Sequence, residues 1–249
     1  LSIVSLKTIQ PAMEKISLIT GVSRDMGLGY ETAKQLQASG HHVIITARDI
    51  HKVKTLADQA GMQALSLDVT DDASVTQLAL TIEKQFGRLD VLINNAGGFF
   101  DQGQEPLSAD MSFIKEALDL NLMGAWRMSK AFVPLLKKSE AGRIVNISSG
   151  AGSFTDPVFG LSVHPGNVPV YAVTKLALNG LTVKLARELA NTKVKVNSVC
   201  PGFVATYPGT EQWGARPVKE GAKGIVWAAT LDNNGPSGGF FRDGQPLSW

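Results

Sequence analysis

A phenol and an ammonium stand four residues apart at Tyr171 and Lys175, on a segment whose helical periodicity puts both on one face. A free tyrosine has a pKa of about 10, so it gives up its proton near neutrality only if a nearby cation stabilises the phenolate left behind. Such a pair can protonate an oxygen on which alkoxide character develops. The Y-x-x-x-K spacing alone is common on helix surfaces, and a purely structural reading stands beside the chemical one. The run TGVSRDMGLGYETAKQL sets Gly21, Gly27 and Gly29, with Ser23, Arg24 and Leu28 between them, ahead of an amphipathic segment. Glycines let backbone amides and a helix N-terminus approach an anion closely. The spacing departs from G-x-G-x-x-G, so a tight strand-to-helix turn without a ligand is the alternative.

These residues need elements to hold them. Short β-branched runs at 16–20, 43–47, 64–67, 91–94, 144–147 and 194–199 are nearly continuously apolar, as strands buried on both faces are. Helical patterns at 30–38, 73–86, 113–137 and 171–190 lie between them and are long enough for crossovers. The fold class expected is α/β: a single-domain, Rossmann-type doubly wound sheet, mostly parallel, with helices on both faces. A closed eight-stranded barrel shares the alternation, but fewer strands are visible and the first turn is glycine-rich. No linker splits the chain, so residues 13–249 read as one domain with two Gly/Pro-rich loops, 150–170 and 203–217. Residues 1–12 read as an extension, with Met13 the expected start.

The 249 residues are 44% hydrophobic and 18% charged, a composition that allows a large core. Twenty-four Lys and Arg against 22 Asp and Glu leave +2, too balanced for a broad nucleic-acid surface. No apolar run is long enough to span a bilayer. The single cysteine, Cys200, excludes an internal disulfide and fits a reducing compartment, with the cytoplasm expected. A small buried thiol is the expected role of Cys200, because no His/Asp constellation makes it a nucleophile. His41, His42, His51 and His164 lack metal-ligand spacing, and no metal is expected.

Taken in order, the glycine-rich turn, Asp68 in LDV, Asn94-Asn95-Ala96-Gly97, Asn121, Ser149, Tyr171 with Lys175, and Pro201-Gly202 resemble the short-chain dehydrogenase/reductase family from Ile16 to about Trp249. The closing GPSGGFFRDGQPLSW and GLGYETAKQL are most similar to its carbonyl-reductase-like branch. The resemblance implies a catalytic set of Asn121, Ser149, Tyr171 and Lys175. Tyr171 would be the acid, Lys175 its partner and a ribose ligand, Ser149 the polariser of the carbonyl, and Asn121 the holder of a relay water. Asn121 has an alternative role in satisfying buried backbone, and Ser148 reads as structural. The implied cofactor contacts are Gly21, Ser23, Arg24, Gly27, Leu28, Gly29, Arg48, Asp68, Val69, Asn95, Ala96, Gly97, Tyr171, Lys175, Pro201, Gly202, Val204 and Thr206.

The glycine turn is two residues longer than the family's. Either Asp25 lies in a lengthened loop or it stands at the second glycine's position, and in both cases its carboxylate suits a phosphate poorly. Asp68 has an adenine-contact reading and a helix-cap reading. At the end of the second strand stand Ala47 and Arg48 in place of an acid, and a guanidinium there suits a 2′-phosphate, with Arg24 as a second charge. NADP(H) is the expected cofactor. A solvated Arg48 paired with Asp49 is the alternative.

From Ser149 to Tyr171 the spacing is 22 positions, longer than the family commonly has. Phe154, Phe159, Val163 and His164 in that insertion, with Phe99, Phe203, Tyr207 and Trp213, are candidate pocket residues, although loop aromatics are also ordinary packing anchors. The reading that follows is an NADPH-dependent reductase of a ketone, aldehyde or quinone. The alternatives are a dedicated steroid, terpenoid or 3-oxoacyl reductase, and a non-catalytic dinucleotide sensor. The expected partner is a small carbonyl or alcohol, with no nucleic acid and no membrane. By resemblance the chain forms a homodimer or homotetramer, although the long insertion leaves a monomer open.

Overall fold

The computed structural model describes residues 14–98, 101, 104–162 and 168–249. Phe99, Val163, His164 and residues 1–13 lie outside the described residues. Six strands follow the expected order: β1 (Lys15–Ile19), β2 (His41–Ala47), β3 (Gln63–Ser66), β4 (Val91–Asn94), β5 (Arg143–Ile147) and β6 (Lys195–Val199). Two short strands, β7 (Phe240–Arg242) and β8 (Gln245–Pro246), complete one sheet in the order β3-β2-β1-β4-β5-β6-β7-β8. Every pairing is parallel except β7 with β8.

Side chains one residue apart enter opposite cores, as the two-residue period of a strand requires. Leu18, Ile44, Leu92, Ile144 and Val196 pack against α3 (Asp72–Phe86), α5 (Gly124–Leu136) and α6 (Pro169–Glu188), meeting Leu78, Ile82, Met128 and Phe132. Ile19, Ile45, Ile93, Val145 and Val199 pack against α1 (Leu28–Ala38), α2 (Ile50–Ala60) and α7 (Val218–Ala229), meeting Leu36, Val53 and Ile225. Burial on both faces explains why the strands read as unbroken apolar runs. This is the doubly wound sheet expected from the sequence.

The sequence pattern missed α2, α7 and the β7–β8 hairpin. Helix α2 is weakly apolar and is defined by its ends: the Asp49 carboxylate accepts from the amides of His51 and Lys52, and Gly61 closes it at φ 68°. In α7, Gly221 looks like a breaker, but a Cβ there would lie 2.7 Å from Val204 Cγ2, so the glycine permits close packing on the loop after β6. The final hairpin turns through Asp243 and Gly244, both at positive φ, which suits a tight two-residue turn. The single helix expected at 113–137 is α4 (Met111–Leu118) and α5 joined by a π-helical turn, Asp119–Met123.

Candidate active site

The crossovers from β1 and β4 leave for opposite faces of the sheet, which opens a crevice at their C-terminal ends. Hydrogen bonds stitch its floor. Thr20 Oγ1 accepts from the amides of Asn95 and Ala96 at 3.0 and 2.9 Å, and Asn95 Nδ2 donates to Thr20 O at 2.7 Å. Gly21 turns at φ 71°, and a Cβ on it would lie 2.6 Å from Ala96 Cα, so only glycine lets the two loops meet. Asn94 is structural: its Nδ2 donates to Asn146 Oδ1 on the neighbouring strand at 2.8 Å.

A groove of about 280 Å³ runs from this floor, lined by Gly21, Ser23, Ala47, Arg48, Asp68, Val69, Ala96 and Gly97 among others. Gly27 precedes α1 with no side chain capping the helix, so the first amides of Leu28 and Gly29 lie at an uncapped N-terminus. The extra residues of the loop form a turn closed by Gly27 N donating to Arg24 O at 3.1 Å. Asp25 in that turn accepts from Met26 N and lines a neighbouring cavity rather than the groove. The lengthened loop thus bulges outward.

Arg24 goes with Asp25: its guanidinium lies 4.0 Å over the Tyr207 ring and donates to Thr206 O at 3.4 Å. Arg48 lines the groove, and the cation lining it with Arg48 is Lys52, one turn into α2, which sequence reasoning missed. Asp49 caps α2 and pairs with Lys52 at 3.7 Å. Asp68 Oδ1 accepts from the amide and hydroxyl of Thr70, while Asp71 caps α3, so the helix-cap reading belongs to Asp71. Burial alone would raise the Asp68 pKa, but the Thr70 bonds and the charges of Arg48 and Arg127 hold it below the usual carboxylate value.

At the adjoining edge, Ser149 ends the segment after β5, and Tyr171 and Lys175 project from the first turns of α6. The hydroxyls of Ser149 and Tyr171 are hydrogen-bonded. Ser149 Oγ also accepts from Ala151 N at 3.2 Å, which leaves the serine proton free to be donated. Lys175 Nζ donates to Ile147 O at 2.8 Å and lies 5.5 Å from the centroid of the Tyr171 ring. Burial pushes the Tyr171 phenol up to about 12, against a lowering by the Ser149 bond, and pulls the Lys175 ammonium down to about 8. Both groups are therefore costly to charge before anything enters the site.

Asn121 lies in the π-helical turn, a distortion frequent at functional sites. Its amide accepts from Gly98 N and donates to Gly98 O and Thr174 Oγ1, so it fastens the loop after β4 to the helix bearing Tyr171. Gly97 lies between it and Lys175: a Cβ there would be 3.1 Å from Asn121 Oδ1 and 3.5 Å from Lys175 Nζ. Ser148 is buried, and its amide pairs with Val199 O across the sheet.

Pro201 and Gly202 follow β6, and Gly202 turns at φ 79°. Val204 bridges to Arg216, and its side chain lies under Gly221. Thr206 lines the second cavity beside Tyr207. Phe154, Phe203, Tyr207 and Trp213 are all exposed, Trp213 by 75%, while Phe159 is half-buried. The free thiol of Cys200 is buried and accepts from the amides of Gly150 and Gly202. Among the described residues no group of three or more His, Cys, Asp or Glu could hold a metal, and no helix is long and apolar enough to cross a membrane.

An oxidoreductase class is what this fold and site define. Residues 15–215 match the short chain dehydrogenase family, and the chain belongs to it. It is 32% identical to a (+)-neomenthol dehydrogenase of Arabidopsis thaliana, over 93% of this chain and 97% of that one. Its fold is similar to NADPH-bound carbonyl reductase from chicken fatty liver, with TM-score 0.81 and 26% identity over 95% of this chain and 99% of that one. It is also similar to ElxO with NADP bound, with TM-score 0.80 and 29% identity over 92% and 97% of the two chains.

Besides Lys52, a second site residue had no motif to announce it. The wholly buried Asp101 accepts from the amides of Val170 and Tyr171, satisfying the first free donors of the helix that carries the phenol. Asp101→Ala strands these amides and should cost about 2 kcal/mol, or a drop of roughly 4–8 °C in Tm, while Asp101→Asn keeps an acceptor and loses less. Equal melting of all three proteins would show that α6 does not rest on this carboxylate.

Proposed function

We propose that the chain is an NADPH-dependent carbonyl reductase that converts a small apolar ketone, aldehyde or quinone to its alcohol. The observation that carries this reading is Ser149 hydrogen-bonded to Tyr171, with the Lys175 ammonium beside them and next to Gly97, which lines the groove that also holds Arg48 and Lys52. The cofactor is NADP(H), which when bound supplies the hydride. The groove suits it: Gly21 and Gly97 line it without side chains, Arg48 and Lys52 supply positive charge, and an uncapped helix N-terminus awaits an anion.

The residues that would hold it fall into three groups. Gly21, Ser23, Gly27, Leu28 and Gly29 offer backbone to the pyrophosphate. Asp68, Val69, Asn95, Ala96 and Gly97 line the adenosine and ribose side, with Arg48 and Lys52 toward the 2′-phosphate. Pro201, Gly202, Val204 and Thr206 serve the nicotinamide side. Arg24 acts from the other flank, tying the glycine loop to the 203–217 loop through Tyr207.

Ser149 donates to the carbonyl oxygen and stabilises the charge that grows there. Tyr171 then gives its proton to that oxygen, and Lys175 stabilises the phenolate. With its pKa near 12, the phenol keeps its proton over the working pH range, as an acid must. Lys175, near 8, is the group whose charge limits the reaction. Asn121 holds Gly97–Gly98 and α6 in register beside them. Phe159, half-buried, and Phe154, Phe203 and Trp213, exposed, are the aromatic residues of the two loops that an apolar substrate would meet under this reading.

Tyr171→Phe should lower turnover by about 10²–10⁴-fold while NADPH affinity, followed by fluorescence titration, stays within roughly twofold. A nearly fully active Phe protein would remove Tyr171 from the mechanism. Arg48→Asp should weaken NADPH binding by about 10–100-fold, as the loss of a charge-assisted contact implies, and leave NADH binding little changed. Equal effects on both cofactors would refute the phosphate assignment.

The sign of the pH dependence follows from Lys175. Its ammonium is present below its pKa and lost above it, so kcat/KM for NADPH, which reports the free enzyme, should be level well below pH 8 and decline as the pH rises through about 8. Values that hold constant to pH 10 would show that this charge is not needed.

A further inference from the structure

The insertion between Ser149 and Tyr171 is tied to the far end of the chain. Asp156 has a fully buried side chain whose Oδ1 accepts from the amides of Val158 and Phe159 at 3.0 and 2.8 Å. Its Oδ2 accepts from Arg242 Nη2 on β7 at 2.6 Å. The same guanidinium nitrogen donates to Cys200 Sγ at 3.2 Å. A second tie lies alongside: Ser153 Oγ donates to Ser248 O at 2.8 Å and accepts from the amides of Thr155 and Asp156.

What matters is where this ion pair sits. Gly150 directly follows Ser149, and a Cβ on it would lie 2.6 Å from Arg242 Nη2 and 2.9 Å from Asp156 Oδ2. Its amide donates to Cys200 Sγ. On the other side of the same 3-10 turn, Gly150–Gly152, a Cβ at Gly152 would lie 2.6 Å from the Lys175 carbonyl carbon, and Asn179 Nδ2 donates to Gly152 O at 3.0 Å. The backbone after Ser149 is therefore wedged between the ion pair and the helix that carries Tyr171 and Lys175. Neither wall can retreat without releasing the turn, and close packing transmits such shifts.

We propose that Asp156 and Arg242 are a positioning pair that fixes Ser149 against Tyr171. The proposal rests on the reading of Ser149 and Tyr171 as the reacting groups. The pair lines neither the groove nor the glycine loop and reaches the segment after β6 only through Cys200, so it governs turnover more than cofactor affinity. A buried carboxylate left alone is strongly destabilising, so the informative change removes both charges together. The variants to make are D156N/R242Q, R242K, S149A and the triple change S149A/D156N/R242Q. For each, kcat and KM for a carbonyl substrate, the NADPH Kd and Tm are measured.

D156N/R242Q should lower kcat by about 10–100-fold, as a small misplacement of a reacting group does, with NADPH Kd within roughly twofold of the original. R242K, which restores a cation opposite Asp156, should recover part of that loss. In the S149A protein the same double change should cost less than about twofold, because the group it positions is gone. Unchanged kcat in D156N/R242Q, or an equal loss with and without the Ser149 hydroxyl, overturns the proposal. A fully active S149A overturns the catalytic reading instead, so the two failures are distinguishable.

Discussion

The structure depends on one constraint at the centre of its sheet. Between β1 and β4 the chain must diverge to opposite faces, yet the two strand ends must stay close enough to form a floor. Thr20, Asn95 and the close approach of Gly21 to Ala96 meet both demands with hydrogen bonds and a missing Cβ. Everything functional is measured from that floor: the groove along β2 and β3 on one side, and the ends of β5 and β6 on the other. A side chain at Gly21 would push the floor apart and misplace both halves together.

The sheet was legible because its strands are buried on two faces, which suppresses polar alternation and leaves apolar runs that stand out in a sequence. The helices were legible in proportion to their apolar stripe. Helix α2 is held by the Asp49 cap and by Gly61 as much as by its three buried residues, and α7 carries Gly221 because Val204 crowds it. Neither reason is visible without the tertiary neighbour. The DG turn before the last strand is a plain hairpin signal, but strands of three and two residues give it too little flanking pattern to register.

In the site, the residues proposed to carry chemistry could be named from the sequence because their types are demanding. Under the proposed mechanism few residues could replace a tyrosine that gives up a proton or a lysine that stabilises the anion. The supporting residues were not readable, because any carboxylate or cation in reach can do their work. Asp101 caps α6 across 70 positions, and Lys52 lines the groove with Arg48 from the first turn of α2, a helix the sequence pattern missed. Arg24 shows the converse error. Its type suits a phosphate, but the outward turn of the lengthened loop carries it to Tyr207.

The two desolvation effects explain why the site is assembled from so many distant segments. Burial makes the Tyr171 phenolate and the Lys175 ammonium unfavourable separately, but a phenolate formed beside that ammonium relieves both costs at once. The interaction is therefore worth most when the proton has moved, which is where the proposed mechanism needs it. Water reaching either group would screen this coupling and level the difference. Excluding it calls for walls on every side: Gly97–Gly98 held by Asn121, the turn after Ser149, and the segment after β6.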